Sequence, residues 1–313
     1  MNEKNNVTIF YACDDRYIPY LSVSLKSLID NASKSTIYRV IVLHSGIKKE
    51  NEELISSMST KNIEIRFSDV SEQIRRIAGS LSLRDYYSLS IYYRIFIPEL
   101  FPDADKAIYL DSDTVVLSDI AELYNIEIGS NLVAAIQDMV VASEKVFRDY
   151  AELGVGVRYE KYFNSGVMLM NLSEMRRENL QGIFINMLET YHFDTICPDQ
   201  DYLNVICKDR VLYLGTEWNK MSVDSEPCMK LNLVHYNMFF KPWLYPDVLY
   251  QEYFWNYAKL TPFYSTLIYE RENFSDENKK RDIEAGNDLR LTASKISSSS
   301  FNFRTAALLE MKI

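Results

Sequence analysis

The chain has 313 residues, with 34 Lys or Arg against 44 Asp or Glu, for a formal charge of −10. Hydrophobic residues make up 47% and charged residues 25%, a balance that fills a large core and excludes wholesale disorder. The acidic balance also excludes a general nucleic-acid coat, which needs basic groups to neutralise phosphates, so no nucleic-acid partner is expected.

Val7–Ala12 (VTIFYA) predicts a buried strand, and Pro19 opens a helix with Leu21, Leu25, Leu28 and Ile29 turned inward. Arg39–His44 and Ile63–Phe67 predict two further strands, separated by a polar-faced helix over Lys48–Lys61. Strand, helix, strand, helix, strand makes two βαβ units, hence a parallel sheet with covering helices. A helix is expected over Ser88–Leu100, then a short buried strand Lys106–Leu110 and a renewed apolar run Val115–Leu117. Leu132–Ile136 predicts a strand ending at Gln137-Asp138, and Tyr162–Leu172 a turn followed by a strand. Ser173 is expected to cap one continuous helix, Glu174–Tyr191. A short helix Pro198–Cys207, strands Val211–Leu214 and Leu231–Tyr236, and an aromatic-rich helix Asp247–Lys259 follow. Past about Arg271 the composition shifts to dense charge, four serines (Ser297–Ser300) and an apolar, basic tail, Phe301–Ile313. The expected division is a catalytic unit over residues 1–265 and a C-terminal extension over residues 266–313.

Nine glycines are few, and neither G-x-G-x-x-G nor G-x-x-x-x-G-K-[ST] occurs, which argues against glycine-loop dinucleotide and P-loop sites. Cys13, Cys197, Cys207 and Cys228 form no C-x-x-C pair, as expected of a reduced, intracellular chain. The start of the chain lacks a signal-peptide core, and no window reaches 18 uninterrupted apolar residues. A cytoplasmic location is expected.

Asp111-Ser112-Asp113 places two carboxylates just beyond a strand, where ligands of α/β sheets bind. Two such groups repel unless a cation lies between them, and hard oxygen ligands suit Mg²⁺ or Mn²⁺. His235, after the apolar run Leu231–Val234, offers a third ligand, and Lys241 a point charge for a phosphate. Asp199-Gln200-Asp201 opens a helix, where acidic residues favour the dipole, but the amide between them is less easily explained. Arg94, flanked by Ile91, Tyr92, Tyr93, Ile95, Phe96 and Ile97, needs an anionic partner.

The order of these features is more specific than any one of them. Ala12-Cys13-Asp14-Asp15, Tyr93-Arg94, Tyr109-Leu110-Asp111-Ser112-Asp113, Phe163-Asn164-Ser165-Gly166, Asp199-Gln200-Asp201 and His235 with Lys241-Pro242-Trp243 together resemble the family 8 glycosyltransferases. The resemblance covers roughly residues 5–260. It implies the α/β GT-A fold, a mixed and mostly parallel central sheet flanked by helices with a C-terminal helical tail. It also implies retaining transfer of glucose or galactose from UDP-glucose or UDP-galactose to a glycan, lipid-linked or protein acceptor. By this resemblance Asp111, Asp113 and His235 hold Mn²⁺, with Mg²⁺ as the alternative. Ala12, Asp14, Ser112 and Asn164 contact the donor, Arg94 its phosphate and sugar, and Lys241 its diphosphate. Asp199 and Gln200 surround the transferred hexose, and Asp138 helps hold donor sugar or acceptor. Arg16 and Met238 depart from the family pattern, where small polar residues and glycine are common. Because the Gln200 amide is a poor nucleophile, a front-face reaction is expected over a double displacement. The competing readings are a sugar-nucleotide binder without transfer and a nucleotidyltransferase. For the tail, Phe301, Phe303, Leu308, Leu309 and Ile313 with Lys295, Arg304 and Lys312 leave two arrangements open: peripheral docking on a membrane, or a helix packed on the catalytic unit.

Overall fold

The computed structural model describes residues 6–77, 89–223 and 226–309. Ser88, the first residue of one expected helix, and Lys312 and Ile313 of the tail lie outside them. The described residues form ten strands in chain order. They are β1 (Asn6–Ala12), β2 (Ile37–His44), β3 (Ile63–Asp69), β4 (Lys106–Asp111), β5 (Thr114–Val116), β6 (Val133–Gln137), β7 (Phe163–Asn171), β8 (Val211–Tyr213), β9 (Lys220–Met221) and β10 (Leu233–His235).

Seven of these make a central sheet in the order β3-β2-β1-β4-β7-β6-β8. Neighbours from β3 to β4 are parallel, β7 runs antiparallel to both β4 and β6, and β8 is parallel to β6. The sheet is therefore mixed and mostly parallel, as expected. Alternation along β1 divides the core: Val7, Ile9 and Tyr11 pack with the helix Ile18–Asn31, while Phe10 and Ala12 face the helices of the opposite side. Ala12 pairs with Asp111, so β1 and β4 end level with each other. A second, three-stranded sheet in the order β5-β10-β9 stands beyond that edge.

The helices expected over Lys48–Lys61 and Asp247–Lys259 are shorter, Lys49–Ser56 and Gln251–Ala258, and two others are divided. The described part of the segment expected as Ser88–Leu100 divides into a 3-10 turn, Leu89–Tyr92, and an α-helix, Tyr93–Leu100. The single helix expected from Glu174 to Tyr191 is two, Leu172–Arg177 and Leu180–Tyr191. Asn179 takes the left-handed conformation between them, with φ of 54°. The cap is Asn171 rather than Ser173, and its side chain accepts from the Glu174 amide at 3.2 Å.

After β10 and the helix Gln251–Ala258, three further helices follow among the described residues: Tyr264–Glu272, Asp276–Ser297 and Phe303–Leu308. Leu289, Ala293 and Ile296 bury one stripe of the long helix against Tyr150, Val155 and Ile196. Arg290 meets both carboxylate oxygens of Glu144 at 2.8 and 2.7 Å. Phe303 and Ala306 enter the main core beside Phe193 and Tyr202, whereas Phe301, Leu308 and Leu309 are exposed. Among the described residues no helix is long and apolar enough to cross a membrane.

Candidate active site

The carboxyl ends of β1 and β4 open onto a cleft of about 380 Å³. β4 delivers Asp111 to its floor, and the turn into β5 delivers Ser112 and Asp113. β10 pairs antiparallel with β5, His235 opposite Thr114, which brings the imidazole to the two carboxylates across more than a hundred residues. His235 Nε2 lies 3.2 Å from Asp113 Oδ1 and 3.8 Å from Asp111 Oδ2.

Each aspartate spends its other oxygen on a cation. Arg94 Nη2 donates to Asp111 Oδ1 at 2.8 Å, where the Tyr109 hydroxyl also donates at 3.0 Å. Lys241 Nζ donates to Asp113 Oδ2 and to the Tyr236 carbonyl. Burial alone would push the Asp113 carboxyl up, but the Lys241 ammonium and His235 hold it well below the usual carboxylate range. Burial would likewise lower Lys241 and Arg94, and the facing aspartates raise both instead, so these cations stay charged. Asp199 is pushed up by burial, opposed by Arg94, whose Nε is 3.3 Å away.

A chain of amides fixes which imidazole nitrogen faces the carboxylates. The Asp138 carboxylate offers only acceptors, so Asn164 turns its Nδ2 to Asp138 Oδ2 at 2.9 Å. Asn164 Oδ1 then accepts from Asn219 Nδ2 at 3.0 Å, leaving Asn219 Oδ1 for His235 Nδ1, also at 3.0 Å. Nδ1 therefore carries a proton, and Nε2 is the nitrogen that faces Asp111 and Asp113. The same carboxylate orients Gln200: its Nε2 donates to Asp138 Oδ2 at 3.0 Å, and its Oε1 accepts from the Ser165 amide at 2.9 Å. Ser165 donates its hydroxyl to Asp199 at 2.9 Å and accepts from Arg94, whose guanidinium also takes the Ser165 carbonyl at 2.7 Å.

These donors fit a divalent cation. The ligand atoms of Asp111, Asp113 and His235 all lie within 4.8 Å of one another. An octahedral ion with bonds of about 2.1 Å needs roughly 3 Å between adjacent ligands, close to the 3.2 Å observed for the Asp113–His235 pair. Gly166 keeps the space open. A Cβ there would lie 2.5 Å from Asp111 Oδ2 and closer still to His235 Cε1.

The cleft lining brings together Ala12, Arg94, Asp111, Ser112, Asp113, Asp138, Asn164, Asp199, Gln200, His235 and Lys241. Ser112 Oγ donates to the Ala12 carbonyl at 3.2 Å and joins the two strand ends. Asp14 stands apart. Its carboxylate caps the turn Asp15–Tyr17, pairs with Arg16 at 2.9 Å and does not line the cleft, whereas Arg16 and Tyr17 do. Asp201 faces away from the cleft, fully buried, accepting from the Tyr150 and Tyr162 hydroxyls at 2.7 and 2.6 Å. Met238 holds φ of 60°, so the backbone a glycine adopts freely persists with a side chain attached.

Sequence reasoning gave no role to Ser165, Gly166, Asn219 or Tyr109. A glycine inside the wholly buried β7 was a readable sign of close backbone approach. Asn219 carried no such sign, because its partners are 16 and 55 residues away in the chain.

The family model described as glycosyl transferase family 8 matches residues 8–247. A putative glycosyltransferase of Haemophilus influenzae is 31% identical over 230 residues, 73% of this chain and 67% of that one. A lipopolysaccharide 1,2-glucosyltransferase of Escherichia coli is 25% identical over 271 residues, 80% of this chain and 78% of the other. Among solved structures, the galactosyltransferase LgtC in complex with donor and acceptor sugar analogues shares 28% identity with a TM-score of 0.69, covering 82% of this chain and 96% of that one.

Proposed function

The chain belongs to glycosyl transferase family 8, and on that premise we propose that it transfers glucose or galactose from a UDP-sugar to a glycan, glycolipid or glycoprotein, with retention at the anomeric carbon. The observation that carries the reading is the convergence of Asp111, Asp113 and His235 opposite Gln200 and Asp199 in one cleft. The similarity to a lipopolysaccharide glucosyltransferase supports a lipopolysaccharide-type glycan as acceptor.

Asp111, Asp113 and His235 would hold Mn²⁺ or Mg²⁺, which when bound neutralises charge on a diphosphate. Lys241 is poised to release Asp113 and meet a phosphate oxygen as charge develops there. The bond from the anomeric carbon to the β-phosphate oxygen breaks, and its electron pair leaves with UDP. The acceptor hydroxyl attacks the same face, and its proton passes to the departing phosphate oxygen. The sugar passes through an oxocarbenium-like transition state. Gln200 positions the sugar, since its carbonyl is already engaged by the Ser165 amide and its nitrogen by Asp138. Asp199, tied to Arg94 and Ser165, lends negative charge near the cation-like ring.

The test is UDP release from a panel of UDP-sugars with Mn²⁺ or chelator, by the wild-type chain and by Asp113→Ala. Metal-dependent release from one UDP-hexose, lost in the variant, is the expected result. UDP binding with no release from any donor, even with acceptors added, would favour the binder over the transferase.

A further inference from the structure

The helix Asp276–Ser297 lies beyond residues 8–247, the span that the family model matches, yet it supplies one side chain to the cleft wall, Asp282. Asp282 Oδ2 accepts from the Tyr245 hydroxyl at 2.7 Å. The Tyr245 amide in turn bonds to the Lys241 carbonyl at 2.9 Å, so this contact ties the helix to the turn that carries Lys241. Two turns later Arg290 grips Glu144, at the end of the helix that Asp138 caps. This helix thus joins the turn that carries Lys241 to the end of the helix that Asp138 caps.

Among the described residues no cation pairs with Asp282, and its second oxygen carries no hydrogen bond. Asn237, also in the lining, has a buried Oδ1 without a partner among the described residues. Both groups are acceptors and call for a ligand that donates. The diphosphate of a UDP-sugar is repelled by a carboxylate. A sugar hydroxyl is the matching group.

We propose that Asp282 contacts the acceptor sugar and selects neutral, hydroxyl-donating acceptors against anionic ones. The proposal rests on the glycosyl-transfer reading above. Transfer is followed as UDP release stimulated over basal donor hydrolysis, in the full chain, with the donor that the UDP-sugar panel selects. The acceptor probes are methyl glucoside, methyl galactoside and lactose, against methyl glucuronide and glucose 6-phosphate. Neutral probes should exceed anionic ones by about tenfold, the factor for like charges roughly 10 Å apart at an effective dielectric of about 20. Asp282→Asn should bring that ratio down to about one, and Asp282→Ala should raise the acceptor KM more than it lowers kcat. Four results overturn the proposal: an unchanged ratio in Asp282→Asn; equal loss of hydrolysis and transfer; a change confined to the UDP-sugar KM; or no neutral probe engaging the wild-type chain. Absence of UDP release from every donor would instead sink the transferase reading, and this inference with it.

Discussion

Replacing Gly166 by alanine tests the metal site through steric geometry alone. The new Cβ would meet Asp111 Oδ2 at 2.5 Å, where ordinary contact begins at 3.4 Å, so ligand and strand must separate by about 0.9 Å. Neither neighbour is free to give. Asp111 is held by Arg94 and Tyr109, and His235 is 2% exposed and held by Asn219. Metal sites tolerate about 0.2 Å of error in bond length, so the three ligands can no longer close on one ion. We expect Mn²⁺ affinity to fall at least ~10–100-fold, the scale seen when ligand orientation is disturbed. Catalysis should fall about 100-fold, as for a misplacement of about 1 Å. Overpacking should also cost about 1–3 kcal/mol of stability. Calorimetric Mn²⁺ titration in the presence of UDP reads the first effect, and urea unfolding without metal reads the last. If Gly166→Ala binds Mn²⁺ within twofold of wild type while remaining folded, the assignment of Asp111 and His235 to one ion is wrong.

Asn219→Ala removes the acceptor that holds the His235 Nδ1 proton, and Mn²⁺ affinity should drop ~10–100-fold without unfolding; equal affinity by the same titration would show that the tautomer is set elsewhere. Burial disfavours the charge of Asp201 and pushes its carboxyl up from 3.8 to about 6, despite hydrogen bonds from Tyr150 and Tyr162. Between those values the folded chain keeps a proton that the unfolded chain has lost, so this group's contribution to stability falls as pH rises from about 4 to 6. Asp201→Asn should flatten that slope in urea unfolding measured across the window, and a slope identical to wild type would remove Asp201 as its source.

The βαβ frame was readable because each early strand is a compact apolar run bounded by polar residues. The i, i+2 carboxylates were readable only in part. Asp111 and Asp113 leave a strand end together and converge. Asp199 and Asp201, with the same spacing, sit on a helix, where two residues span about 200°, so one faces the cleft and the other the core. The break at Asn179 escaped notice because the apolar period continues across it, and a left-handed residue leaves no mark in that pattern. The polar partners were hidden for another reason. Ser165 and Asn219 join the site from elements far apart in the chain, and only the assembled sheet decides which amide faces which. The long helix Asp276–Ser297, dense in charge along its sequence, has its buried stripe in just Leu289, Ala293 and Ile296.

The hydrogen bonds from His235 through Asn219, Asn164, Asp138, Gln200, Ser165 and Arg94 to Asp111 trace a ring that lacks one link, the 3.8 Å gap between Asp111 and His235. Members of such a ring share their orientation, so the effects of substituting them will not add. Once one amide is lost, the next removal costs less, and restoring one member alone recovers little. Any redesign of this protein for a different sugar must therefore exchange ring residues in concert, because a single change beside the hexose is also a change in the aim of the histidine.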